Sequence, residues 1–188
     1  MITGAIRMVD EYSTADIMGR INIILLNYTN FPEIVEGYEE SLKFLIVNER
    51  RMHRRKAVGE LGIRIQTSGN SDTTADAAIE SVMLTEAIRS GNMRKELKDI
   101  ECSDQYQHEA DVLKNMREDY ELVKSQIKTL PWDEHKVLDS YLTGKNNLVN
   151  LSSAADCSYD AMKNKLKRAR NKVKRTTAFY LERKYRTA

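Results

Sequence analysis

The chain has 188 residues, 41% hydrophobic and 31% charged, with a formal net charge of +2. This balance suits one folded domain, or two small ones, and argues against a disordered chain. No run of about 18 apolar residues occurs and the best apolar cluster, at 21–26, is short, so neither a membrane span nor a signal peptide is expected.

Two prolines and eight glycines leave few enforced breaks, which favours helices, and an all-α fold is expected. Cys102 and Cys157 form no C-x-x-C pair, and His53, His108 and His135 fall at no metal-ligand spacing. The expectation is therefore two free thiols in a reducing cytoplasm, with no metal and no cofactor. Charge is unevenly spread: residues 158–188 carry +9 and residues 1–157 carry −7. An acidic body with a basic end points to a polyanionic partner for that end.

In chain order, residues 1–58 form a helical segment. Ser13, Thr14 and Asp16 are candidate caps before Ile17, Ile21, Ile24, Leu25 and Tyr28, which recur at helical spacing. A second helix restarts after Asn30 and Pro32, with Ile34, Val35, Tyr38, Leu42, Leu45 and Ile46 as its apolar face. It closes on "RRMHRRK", whose positive charge suits a helix C-terminus. Residues 59–75 read as a Gly/Ser/Thr-rich linker with room for a short extended piece at 63–65, and they lack the ending of a phosphate loop. Residues 76–126 are a helical middle segment, with Ala78, Ile79, Val82, Met83, Ala87 and Ile88 on one side of its first helix. From Ser103 a long helix carries Leu113, Met116, Tyr120, Val123, Ile127 and Leu130 at heptad-like spacing. Intramolecular packing is the favoured use of that seam, pairing with a second chain the other.

Residues 127–176 carry the sharpest signal, and 177–188 read as a basic tail. After the break at Pro131 a helix runs to Leu142, with Val137, Leu138, Tyr141 and Leu142 apolar and Gly144 as its stop. "NNLVNLSSAAD" is a short helix with Leu148, Leu151 and Ala155 facing inward. Asp156 stands at the turn, Cys157 is expected as a small plug between the helices, and Ser158 caps the next helix. There Met162, Leu166, Ala169 and Val173 make a narrow apolar stripe, while residues 161–178 contain eight Lys and Arg and no acid. A stripe one residue wide is too thin for a membrane-surface helix. A solvated face would mix signs, so a helix laid on DNA is the expectation. Short helix, tight turn and crossing helix follow the helix-turn-helix plan.

"LPWDEHKVLDSYLTG" followed by "LSSAADCSYDAMKNKLKRAR" resembles region 4 of sigma-70-family factors. The likeness rests on Leu130, Pro131, Glu134, Val137, Leu138, Tyr141, Leu142 and Gly144, then Ser158, Met162, Lys163, Leu166, Arg168 and Ala169. Ser152 and Asp156 stand where that family usually has alanine and glycine, and region 2 has no counterpart. Upstream, "LGIRIQTSGNSDTTADAAIE" and "MREDYELVKSQI" look like phage transcriptional regulators of the ArpU and RinA type. The resemblance implies control of phage late genes, such as those for packaging or lysis, through promoter DNA and RNA polymerase.

For a helix in the major groove, Tyr159, Asp160, Lys163 and Asn164 are the base-edge candidates. Lys167, Arg168, Arg170, Lys172 and Lys174 are phosphate candidates, joined by Ser158, Asn146 and Asn147. Double-stranded DNA is the expected partner, with RNA polymerase and a second copy of the chain as further candidates. Two rivals stay open: a DNA-packaging adaptor like a small terminase subunit, and a protein-interaction module using the basic helix. Catalysis is not expected, because Glu134 and His135 are adjacent and point apart on a helix, and Ser152 and Ser153 lack a nucleophile-elbow setting.

Overall fold

The computed structural model describes residues 2–59, 73–98 and 100–186, and among them every regular element is a helix. In order these are α1 (Ile2–Thr14), α2 (Ile17–Leu26), α3 (Phe31–Gly59), α4 (Thr73–Ser90), α5 (Ser103–Lys128), α6 (Trp132–Leu142), α7 (Leu148–Ala154) and α8 (Tyr159–Arg186). The all-α expectation holds. The piece expected at 63–65 lies outside the described residues, as do residues 60–72 of the expected linker. Gly59 closes α3 and Thr73 opens α4, so both ends of the 59–75 stretch belong to helices.

The amino-terminal end differs from the expectation. Helix α1 precedes α2, and the Ser13 and Thr14 hydroxyls donate back to the Asp10 carbonyl at 2.8 and 3.0 Å, as residues ending a helix do. Asp16 alone caps α2, its carboxylate accepting from the Gly19 amide at 2.7 Å.

The described chain divides into two compact units: residues up to Ile34 and from Met116 onward form the first, and residues from Val35 to Asn115 the second. In the first unit α8 packs against α2, α6 and α7, and α1 against α2. Ile21, Ile24 and Leu25 of α2 are buried, with Met116, Val123 and Ile127 of the α5 seam. Phe31 stacks on Tyr120, the ring centroids 5.6 Å apart and nearly parallel, and Tyr12 and Tyr28 tilt against that pair. A polar clamp lies beside this cluster. Asp119 is fully buried and accepts from the Tyr12 hydroxyl at 2.5 Å, the Tyr185 hydroxyl at 2.9 Å and the Lys184 ammonium at 2.9 Å. The Arg20 guanidinium sits 5.2 and 4.9 Å from the Tyr12 and Tyr185 ring centroids.

In the second unit α3 buries Val35, Leu42 and Ile46, and α4 buries Leu84, Ala87 and Ile88. Of the face expected for α4 only Ala87 and Ile88 are buried, while Ala78, Ile79, Val82 and Met83 are exposed. On α3, Leu45 is also exposed, and the buried Glu39 holds Arg89 of α4 at 3.2 Å. Arg50 bonds Glu80 and Glu96 at 2.7 Å each. Gly91 leaves α4 with φ +70°, where an added Cβ would lie 2.9 Å from the Asp111 carboxylate.

Candidate nucleic-acid interface

Helix α6 opens directly after Pro131, whose lack of an N–H costs nothing at a helix start. It ends at Leu142 with Thr143 as its C-cap, and Gly144 takes φ +69°, the left-handed turn that stops the helix. Asn147 caps α7 by accepting from the Asn150 amide at 2.8 Å, and Asn146 donates to the Ser140 hydroxyl at 2.7 Å. Both asparagines therefore already have local structural bonds. Leu151 and Ser152 are the buried residues of α7, Leu148 is half-buried, and Ala155 is exposed, contrary to its expected inward direction.

The turn at 155–158 is held by the Cys157 amide donating to the Ser152 carbonyl at 3.0 Å. Asp156 adopts φ +46°, the conformation that an aspartate tolerates better than most residues. Cys157 is exposed, so it plugs nothing. Ser152 is the buried short residue instead, its hydroxyl satisfied by the Val149 carbonyl at 2.8 Å. Ser158 caps α8 as expected, accepting from the Ala161 amide at 3.2 Å.

Met162, Leu166, Ala169 and Val173 are all buried, as the stripe required. Each large member stabilises the packing by about 1.5–3 kcal/mol. The stripe does not end there. Thr177 and Leu181 continue it, so residues 177–186 of the expected tail are the last turns of α8.

The polar circumference of α8 splits into two parts. Lys165 and Lys172 turn to α6, where Lys165 reaches Asp133 at 3.0 Å and Lys172 reaches Glu134 at 2.6 Å. The hydrogen bond from Lys165 holds the Asp133 carboxyl below its ordinary range. Lys172 was expected to hold phosphate; its side chain is instead engaged within the fold. The other part is open. Tyr159, Asp160, Lys163, Asn164, Lys167 and Arg168 are exposed, and Arg168 bonds the Asn164 carbonyl of its own helix at 3.4 Å.

Lys163, Lys167, Arg170 and Lys174 line one groove together with Asn171, over a floor of Leu166, Tyr141 and Leu148. The Arg170 Nε is buried, with no hydrogen-bond partner among the described residues. Burial, and then the nearby Arg170, push the Lys174 ammonium below its ordinary value. Cations crowd here with no acid among the residues lining the groove, which makes a positive recess suited to an anion. Asn171 is a groove residue that sequence reasoning passed over, although its spacing from Lys163 and Lys167 is that of one helix face. Among the described residues no cluster of three or more His, Cys, Asp or Glu is placed to hold a metal, and no helix is long and apolar enough to cross a membrane. No protein-family model, no curated protein and no solved structure matches this chain.

Proposed function

We propose that α7, the turn at 155–158 and α8 form a helix-turn-helix that binds double-stranded DNA, and that the protein is a sequence-specific transcriptional regulator. The observation that carries this reading is the groove face of α8: Lys163, Lys167, Arg170 and Lys174 in line, unopposed by acid, above a fully buried apolar stripe. A helix anchored by so thin a stripe leaves more than half its circumference free, which is what entry into the major groove requires. Tyr159, Asp160, Lys163 and Asn164, on the exposed first turns, are the base-edge set in this reading. Lys167, Arg168, Arg170 and Lys174 grip phosphates, and Ser158, Asn146 and Asn147 have secondary roles. The resemblance to sigma-70 region 4 and to ArpU and RinA regulators extends the proposal to phage late-gene promoters, with RNA polymerase as a second partner.

Charge reversal tests it. Lys163→Glu and Lys167→Glu alter exposed side chains, so circular dichroism and thermal unfolding should match the parent. Affinity for DNA recovered by genome-wide footprinting should fall by at least about a hundredfold, since each reversal replaces an attraction with a repulsion. Unchanged affinity in a gel-shift titration would remove α8 from the interface.

A further inference from the structure

The face of α3 turned to its own unit is marked by the buried residues Val35, Glu39, Leu42 and Ile46. On the opposite side of the same helix Gly37, Glu40, Phe44, Val47 and Arg51 follow one another at 3, 4, 3 and 4, the spacing of a coiled-coil seam, and all five are exposed. Phe44 is 65% exposed, and Leu45 and Val47 extend the apolar surface beside it. At Gly37 an added Cβ would meet nothing within 4 Å, so the backbone there is open to close approach.

The seam is ordered by charge. Glu40 lies toward one end, with Lys43 3.8 Å away, and Arg51 toward the other, with Phe44 and Val47 between them; Glu36 and Arg54 flank the seam and are paired with Arg89 and Glu80 of their own unit.

We infer that this face of α3 binds the same face of a second copy of the chain, the two helices running antiparallel about a two-fold axis between Leu45 and Ile46. That axis sets Glu40 opposite the partner's Arg51, Phe44 opposite the partner's Val47 and Gly37 opposite the partner's Arg54, and symmetry makes each pairing twice. A parallel pair would oppose like charges at both ends. A uniformly acidic or basic partner would be repelled by one half of the seam, so the charge order selects a second copy. The contact spans about two heptads, short for a coiled coil, so a reversible monomer–dimer equilibrium is expected. No residue of this face belongs to the groove on α8, so the inference stands apart from DNA binding.

The test is sedimentation of the full chain from about 1 to 100 µM, with helix content checked by circular dichroism. The parent should show a monomer–dimer equilibrium. Glu40→Arg and Arg51→Glu should each weaken dimerisation by about tenfold or more, and the double variant E40R/R51E should restore it by exchanging the two signs. Phe44→Glu, a change at an exposed position, should give a folded monomer. A parent that stays monomeric across the range, or assembles into a many-membered ring, overturns the inference. So do single reversals that leave association unchanged, and a folded double variant that stays as weak as the singles.

Discussion

Asp119 shows how much one residue can fasten. Its carboxylate is fully buried and receives three donors, from Tyr12, Lys184 and Tyr185, which lie 107, 65 and 66 positions away in the chain. Asp119→Ala would take one carboxylate from the Lys184 ammonium and the acceptor from the buried Tyr12 hydroxyl and the half-buried Tyr185 hydroxyl. The expected loss is about 3 kcal/mol in urea unfolding. The same clamp sets the alkaline limit of the fold. Burial, then Asp119, raises the Tyr185 hydroxyl above its ordinary 10.0. At Lys184 burial acts downward, but hydrogen bonds to Glu118 and Asp119 prevail and raise the ammonium above 10.5. Both groups hold their protons more tightly folded than unfolded, so their stabilisation is complete below about pH 10 and is lost as pH rises beyond it. The urea midpoint should fall as pH rises above about 10, and Tyr185→Phe should make that fall shallower. Nothing in the local sequence marks Asp119 as buried, because the three donors that make burial tolerable come together only through the tertiary fold. Gly91 is of a more legible kind: a glycine just past a helical run is a common stop, and φ +70° is the reason. Gly91→Ala should cost about 1–2 kcal/mol from backbone strain, before the close approach of Asp111 is counted.

At the scale of elements, legibility follows how one-sided each helix is. In α8 the apolar residues occupy a single stripe against an otherwise charged surface, so Met162, Leu166, Ala169 and Val173 could be named from spacing and are buried. The α5 seam was equally readable, with Met116, Val123 and Ile127 inside the first unit. Helix α4 has apolar residues on opposite faces. Periodicity could not choose between Leu84 with Ala87 and Ile88, which are buried, and Ile79 with Val82 and Met83, which are not. Tertiary packing decided it, burying Leu84, Ala87 and Ile88 within the second unit. At the turn before α8 the short residues were ranked wrongly. Cys157 is outside and Ser152 inside, because the serine hydroxyl can bond the carbonyl three residues back and be buried at no loss. The two sides of α8 should therefore separate cleanly under mutation. Leu166→Ala should lower stability by about 2–5 kcal/mol through the cavity it leaves, while Lys167→Glu should leave the unfolding midpoint nearly unchanged.

For the whole molecule the governing quantity is charge arrangement, +9 over the last 31 residues against −7 over the rest. A net charge of +2 alone would hide this. If the cationic face meets phosphates, affinity for DNA should fall steeply with salt. The log–log slope loses about 0.9 for every phosphate contact removed, so Arg170→Gln should reduce it by about one unit, measured by fluorescence anisotropy across a salt series. The ion pairs that join α8 to α6 would also be screened, but as partly exposed pairs they contribute little to stability. Unfolding should thus respond to salt far less than binding does.

Helix α8 is one uninterrupted rod of 28 residues, about 42 Å long at 1.5 Å per residue. Its far end is bolted at Lys184 and Tyr185, and its near end presents the lysines. A rod bolted at one end has a fixed angular phase at the other. One extra alanine inserted between Lys174 and Thr177 would turn the lysine row, and with it Met162, Leu166, Ala169 and Val173, through about 100° relative to Thr177 and Leu181, so the stripe could no longer be buried along its whole length. The number of residues separating grip from bolt is thus itself a specification, as binding on this protein as the identity of any lysine.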